Sequence, residues 1–557
     1  MIERARAWIP LLRQLDGYGS DTLRRDVAGG LTTAIMLVPQ AMAYALLAGL
    51  EPIVGLYASV VPVFVYGLLG TSRQLAVGPV AMVSLLVASA VAPLAGDDAA
   101  AYAGLAALLA LLVGVLQWGM GVVKLGFLVK FLSHPVIAGF TSAAALIIGL
   151  SQLKHVLGIP IPRSPYVHEI LVHAAAGMGD IDPVAFGIAM GSILTLVALK
   201  RVAPGFPRFL LVVVAGATTV YGLGLEVDIV GAVPGGLPAV AVPQVTMDAV
   251  GQLLPMAVTI ALVGFLESIS VAKSFARREG YPIDADQELV ALGLANVGGA
   301  LSGAYPTTGG LSRTAVHAQA GARTGVAGLV TAAAVVLTLL FLTPLFTYVP
   351  KAVLAAIIMT AVFGLVDVPT VRHLWRVDRG DLALMGLTFV ATLVLGIEQG
   401  ILAGVGASLL WFVWRTSRPH IAELGRLPGS TVYRNRERYP EAEVVPGVLA
   451  VRVDAPLFFA NTAFLEQTLA DRVARREGLE HVIIDAKAIG SVDSQALDTL
   501  EETIDGLKRE GIQVWLSGVR GPVRDALKAV GLWDRLGPEH FVERVTEAVE
   551  SARAQAA

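Results

Sequence analysis

Two stretches of the chain carry residue types and spacings suited to holding an anion. One is Gly78-Pro79-Val80-Ala81-Met82-Val83-Ser84; the other is Tyr305-Pro306-Thr307-Thr308-Gly309-Gly310-Leu311-Ser312-Arg313. In each, Gly-Pro or Gly-Gly precedes small hydroxyl and apolar residues that can run as helix, which marks a helix start. The first N–H groups of a helix have no partner within it. Together with the helix dipole they favour a negative ligand. Gly78, Val80, Gly310 and Leu311 stand where such N–H groups would be presented, Ser312 can cap the helix or bind the ligand, and Arg313 adds a positive charge. Gln40 follows Pro39, whose ring removes one helical hydrogen bond and bends the chain; its amide can donate to an anion without carrying charge. Glu267, between Phe265-Leu266 and Ile269, is an acid deep in an apolar run and a functional candidate by default. It can take up a proton, pair with Arg313, or do both in turn. His134 and His317 are read as structural.

The elements around these residues belong to a membrane. Of 557 residues, 55% are hydrophobic and only 15% charged, against about 25% charged in soluble proteins. Lipid cannot satisfy the free N–H groups of a helix that begins inside it, so broken backbone survives there only around a cavity or a site. Two such starts, one in each half of the apolar region, are the layout of an anion transporter. The absence of cysteine excludes disulfides, thiolate metal sites and cysteine nucleophiles. A net charge of −3 excludes a strongly basic nucleic-acid binder. No HExxH, Gly-x-Ser-x-Gly or P-loop pattern occurs, so the chain is read as no enzyme, with no cofactor and no metal. The first residues lack the short apolar core and cleavage site of a signal peptide.

Fourteen apolar runs lie between about residues 30 and 418. The runs at 79–94, 286–303 and 311–321 are short; a full crossing needs about 20 residues. Charges alternate with the runs. Arg73, Lys124 with Lys130, Lys200 with Arg201, Lys273 with Arg277, Arg323, Arg372 with Arg376, and Arg415 follow the even-numbered runs. Glu51, Asp97, Asp98, Glu226, Asp228 and Glu398 lie on the other side, with Lys154, Arg163 and Lys351 as its basic exceptions. The pattern predicts an even number of spans, both termini in the cytoplasm. The runs at 79–94 and 311–321 are seven spans apart, the arithmetic of an inverted repeat. Residues 1–29 are expected as a cytoplasmic segment, 30–418 as the membrane domain, 419–445 as a linker and 446–557 as a small soluble α/β domain in which strands and helices alternate.

Leu37-Val38-Pro39-Gln40-Ala41-Met42-Ala43-Tyr44 through Leu50, Pro52 and Gly55-Leu56-Tyr57 resembles the first-span signature of the SulP sulfate-permease family. Phe265-Leu266-Glu267-Ser268, Phe275-Ala276-Arg277, Gly280-Tyr281, Gln287-Glu288-Leu289, Gly293-Leu294-Ala295-Asn296 and Tyr305 to Gly309 are similar to its second block, and the soluble end to its STAS domain. The resemblance implies a polytopic α-helical membrane protein of fourteen spans, built as a seven-plus-seven inverted repeat with two short half-helices, core and gate bundles, and a cytoplasmic STAS domain. It also implies a homodimer in the inner membrane that carries sulfate, bicarbonate, chloride or dicarboxylates. It places Gln40 and Tyr44 as first-span substrate contacts and Ser312 and Arg313 beside the substrate. It supports a coupling role for Glu267, with a proton or, as in some members, sodium; an uncoupled exchanger or channel is the other expectation. Leu37 replaces a second Gln found in some members. Asp493-Ser494 resembles the Asp-Ser step of STAS phosphoswitches, but Gln495 and Ala496 follow it, so Ser494 is expected to be a helix cap.

Overall fold

The computed structural model describes residues 9–96, 98–127, 133–162, 164, 166–203 and 206–556. Asp97, Lys130 and Arg163, which entered the charge pattern, lie outside them. The chain forms two compact units, Met1–Ser408 and Leu409–Ala557.

Each of the fourteen apolar runs is helical. They are α1 Ser20–Ala48, α2 Pro52–Leu69, α3 Ala81–Ala95, α4 Ala99–Val122, α5 His134–Ser151, α6 Pro183–Val202, α7 Arg208–Leu223, α8 Met247–Glu279, α9 Ala285–Leu301, α10 Leu311–Gln319, α11 Val326–Phe346, α12 Lys351–Val362, α13 Arg379–Leu395 and α14 Ile397–Ser417. Eight helices among the described residues are long and apolar enough to cross a membrane alone. α1 begins ten residues before its apolar run, so the segment expected as 1–29 already contains its first turns. Gly49 ends α1 in a left-handed conformation (φ 86°), and Leu50 N–H returns to the Ala45 carbonyl, a C-terminal stop that releases the chain into α2.

The helices pack in two groups, α1–α4 with α8–α11 and α5–α7 with α12 and α13. The pairings are reciprocal: α9 on α4 and α2 on α11, α11 on α1 and α4 on α8, α13 on α5 and α6 on α12, α10 on α1 and α3 on α8. Moving each helix seven places along the chain exchanges the members of each couple, which is how an inverted repeat packs. Where the halves cross, β1 (Val77–Gly78) pairs antiparallel with β2 (Thr308–Gly309), Val77 opposite Gly309 and Gly78 opposite Thr308. α3 and α10 start directly after these strands.

The second unit is an α/β sheet of six strands in the order β4-β3-β5-β6-β7-β8. β5 (Val448–Val453), β6 (His481–Asp485), β7 (Gln513–Ser517) and β8 (Phe541–Val542) run parallel, with α15 (Thr462–Ala474), α16 (Ser494–Arg509) and α17 (Gly521–Ala529) between them. The segment expected as a linker carries β3 (Ile421–Arg426) and β4 (Tyr433–Asn435), and β3 pairs antiparallel with β5. Ile421, Ala422 and Leu424 bury the apolar positions, while the charges between them are paired, Glu423 with Arg476 at 2.6 Å and with Arg436. Those charges make a strand paired on both sides look like a tether. The cap of α16 is Asp493, whose carboxylate accepts from Ala496 N–H; Ser494 is the first helical residue.

Candidate functional site

Val80 and Gly310 are the residues just before α3 and α10, both extended, and neither helix start receives a capping side chain. Ser84 N–H and Thr314 N–H are the first to bond back into their helices, to Val80 and Gly310. The N–H groups of Ala81 to Val83 and Leu311 to Arg313 are therefore without intrahelical partners. Gly310 N–H itself goes to the Ala76 carbonyl, which ties the start of α10 to the strand that precedes α3. The first turn of α10 is open: Leu311 and Ser312 are exposed, in contrast to Arg313 and Thr314 behind them.

Arg313 is the connection between the two helix starts. Its side chain is 2% exposed and runs back past Gly310 to the other half, where Nε donates to Ala76 O at 3.3 Å and Nη1 to Pro79 O at 3.0 Å. Nη2 is sealed and has no partner. A Cβ at Gly310 would lie 3.2 Å from Nη2, and one at Gly78 would lie 3.3 Å from it, so the guanidinium occupies the space that two missing side chains leave. Gly78 also has φ +147°, a conformation that L side chains rarely adopt.

Gln40 and Tyr44 lie one turn apart on α1, and both are buried. Gln40 Nε2 has no hydrogen-bond partner. Tyr44, Tyr305 and Glu267 all lie within electrostatic reach of Arg313. Glu267 is not hydrogen-bonded to Arg313: Nε and Nη1 donate to the carbonyls of Ala76 and Pro79 on either side of β1, and Nη2 stays unpartnered. The Glu267 Oε2 is sealed and unpartnered. The structure thus brings Gly78, Val80 and Gly310 against Arg313, with Tyr44 and Glu267 close to it; Gln40 lies one turn from Tyr44, and Leu311 and Ser312 are exposed at the start of α10.

A buried polar frame holds this point, and residue types alone do not disclose it. Ser268, next to Glu267, accepts Gly309 N–H at 2.8 Å and shares a 2.6 Å bond with Thr308 Oγ1, which bonds the Gly264 carbonyl at 2.6 Å. Asn296 brackets Thr307, accepting its N–H at 2.7 Å and donating to its carbonyl at 3.1 Å, and donates also to Gln117. Ser84 meets Tyr305 at 3.2 Å. The spacing Gly-Leu-Ala-Asn ahead of the second Gly-Gly stretch is the only sequence sign of Asn296.

Two cavities border the helices that carry these residues. One of about 300 Å³ lies between α1, α10 and the start of α7, lined by Met36, Val316, Gln319 and Arg208. Another of about 250 Å³ lies between α1 and α3 on one side and α5 and α12 on the other, lined by Leu46, Leu85, Gln152 and Lys351. Opposed helix starts, one cation and an uncharged amide are chemistry for a desolvated anion; the free carboxyl is chemistry for a small cation or a proton.

The model of the sulfate permease family matches residues 23–388, and that of the STAS domain matches residues 439–551. A probable sulfate transporter of Arabidopsis thaliana is 42% identical over 94% of this chain and 80% of its own length. A probable sulfate transporter of Mycobacterium tuberculosis is 36% identical over 98% of both. Among solved structures, the murine Slc26a9 anion transporter in the inward-facing state superposes with a TM-score of 0.91 over 100% of this chain and 95% of that one, at 26% identity. The transmembrane domain of the cyanobacterial bicarbonate transporter BicA shares the fold, with a TM-score of 0.62 over 70% of this chain and 98% of that one, at 24% identity.

Proposed function

The chain belongs to the sulfate permease family of anion transporters, and from that premise we propose that it is a proton-coupled importer of a small inorganic dianion, sulfate first. The observation that carries this reading is the Arg313 guanidinium lodged between the starts of α3 and α10. The anion takes backbone N–H groups of both helices, the Ser312 hydroxyl and the Gln40 amide, with Tyr44 beside them. Backbone dipoles do most of the binding, because a dianion held mainly by full charges would leave slowly. In this reading access to the point alternates as the α1–α4/α8–α11 group rocks against the other, the cavities along α1 and α3 and along α1 and α10 being the candidate routes. In this reading the fourteen helices are fourteen spans, the Lys- and Arg-rich face and both termini are cytoplasmic, and the protein works as a homodimer in the inner membrane.

Coupling resides at Glu267. Moving a dianion inward against a negative-inside potential costs ~2.3 kcal/mol per charge per 100 mV. One proton offsets one charge and two make the step electroneutral. The unpartnered Oε2 of Glu267 is where such a proton binds while the anion occupies the site. Glu267→Gln mimics the protonated acid. In proteoliposomes it retains sulfate binding and exchange but loses accumulation driven by an inward proton gradient. Full proton-driven accumulation by that variant removes Glu267 from the mechanism. Dependence on sodium and not on pH makes the protein a sodium symporter, bicarbonate then being the first substrate to try; dependence on neither makes it an exchanger or channel.

A further inference from the structure

α12 and α13 are joined through a ten-residue helix, Val368–Val377, and α5 and α6 through another of ten residues, Val167–Ala176. The two connections are seven places apart along the chain, so they are counterparts in the repeat. At ~1.5 Å per residue each is ~15 Å long, too short to cross a ~30 Å hydrocarbon core. Both rest on the protein through few residues, Ile170 and Ala174 in one and Leu374 in the other. Leu374 packs with Ala138 of α5 and with Leu382 and Met385 of α13. These residues lie in the first two turns of helices that start on the Lys- and Arg-rich face, at a depth of ~5–9 Å by the helical rise. Amphipathic helices at a membrane boundary are sunk by about that much.

The rest of Val368–Val377 divides into two strips. Val368, Val371 and Trp375 are spaced three and four apart and share one side of the helix; Trp375 is 67% exposed. Arg372 and Arg376, one turn apart, share the next side, and both are exposed. The helix itself carries no acid. Asp367 and Asp378 at its ends are engaged as caps, the first by Thr370 N–H and the second by the N–H groups of Gly380 and Asp381. Among the described residues Arg372 and Arg376 have no ion-pair or hydrogen-bond partner. The counterpart helix also exposes apolar side chains, Leu171 and Val172, but its polar residues are His168, Glu169 and His173. The fold therefore calls for the short helix and its apolar strip, and not for the guanidinium groups.

We propose that Val368–Val377 is a binding site for an anionic phospholipid. Val368, Val371 and Trp375 lie among the upper acyl carbons, and Arg372 and Arg376 hold the phosphate, whose oxygens match the guanidinium fork. An apolar strip and a cationic strip that meet along one edge, at headgroup depth, fit a molecule that is apolar at one end and anionic at the other. Near a negatively charged leaflet each arginine adds about fivefold to binding. That this leaflet is the cytoplasmic one rests on the orientation proposed above.

The test uses full-length protein in phosphatidylcholine vesicles that contain a minor fraction of phosphatidylglycerol. Bromine on an acyl chain quenches an indole beside it, and Trp375 is read as the difference between wild type and Trp375→Phe. At equal fractions of brominated lipid, phosphatidylglycerol should quench Trp375 at least about twofold more than phosphatidylcholine does. Arg372→Gln together with Arg376→Gln should remove this excess and leave the quenching by phosphatidylcholine. Equal quenching by the two lipids in wild type overturns the headgroup site, and an excess that survives the double substitution overturns the role of the arginines. Quenching by neither lipid puts protein on this face, a second copy or the soluble domain, and overturns the proposal as a whole. The leaflet is read separately. The chain has no cysteine, so His373→Cys supplies a single exposed thiol. An impermeant maleimide should reach it only in opened cells. Labelling in intact cells overturns the cytoplasmic orientation and the leaflet assigned here, while the quenching still decides the lipid site.

Discussion

At the scale of residues, the binding point depends on atoms that are absent. Gly310→Val brings a Cβ to 3.2 Å from the Arg313 Nη2 and 3.4 Å from the Val80 Cγ1, and its two methyl groups crowd both further. Ser312→Pro removes an N–H from the open first turn of α10. Each should weaken sulfate binding to purified protein by about 1.5–3 kcal/mol, the worth of a hydrogen bond to a charged group, with little loss of expression. Unchanged affinity in both, measured by calorimetry, moves the site away from this helix start. Gly-Pro and Gly-Gly-Leu-Ser-Arg were legible as helix starts because only a few residue types break and restart a helix in an apolar run. The partner of Arg313 was not. An acid on a neighbouring span is the obvious guess from sequence, whereas the acceptors are the backbone carbonyls of Ala76 and Pro79, which flank β1.

At the scale of elements, two buried carboxylates brace the loops that lead into and out of the half-helices. Glu288 accepts from Tyr66 OH, Thr71 N–H, Thr71 Oγ1 and Ser72 N–H, at 2.6 to 3.0 Å. Asp26 accepts from Tyr18 OH, Thr324 Oγ1, Arg323 N–H and Thr324 N–H, at 2.5 to 3.1 Å. The donor sets are alike: one tyrosine, one threonine hydroxyl and two consecutive amides. Glu288→Ala should cost about 3 kcal/mol or more of stability, since several buried donors lose their acceptor together. Ser268→Ala leaves one amide, Gly309 N–H, without its partner and should cost about 1–3 kcal/mol. Thermal unfolding in detergent ranks them; an equal or reversed order contradicts the bracing role. Apolar periodicity disclosed the helices but not these braces, because a single Asp or Glu near a helix start reads equally well as surface charge. The same ambiguity hid β3, where Glu423 and Arg426 look solvated until β5 is beside them.

At the scale of the whole molecule, the second unit has its own apolar core on both faces of its sheet. Truncation after Arg418 should therefore leave an inserted, sulfate-binding membrane domain with weakened transport; failure to insert or bind contradicts the partition. Residues 419–557 should fold alone. In that domain His481 and His540 flank Trp515, with Nδ1 of His481 3.4 Å from the indole N–H and the His540 ring 4.6 Å from the indole. Burial holds both imidazoles below their usual range. The unfolded chain then binds more protons than the folded one just below the ordinary value of about 6.5. Their contribution to stability is complete above that pH and is lost as pH falls through the window beneath it. Urea midpoints at pH 7.5 and 5.5 should show a lower value in acid, and His540→Gln should shrink the difference; a difference left unchanged by the variant assigns it to other groups.

The short crossing of β1 and β2 also sets a clock on how this protein is made. Some 230 residues separate Gly78 from its partner Thr308. At ~5–20 residues per second a ribosome needs ~10–50 s to produce them. Through that interval Val77 and Gly78 have no strand to pair with, and lipid offers no substitute for one. The first half of the chain must wait at the insertion machinery, or borrow other partners, until the second half arrives. The binding point thus cannot be completed until synthesis has passed Thr308, and a nascent chain arrested before it should remain open to proteolysis around residues 70–80.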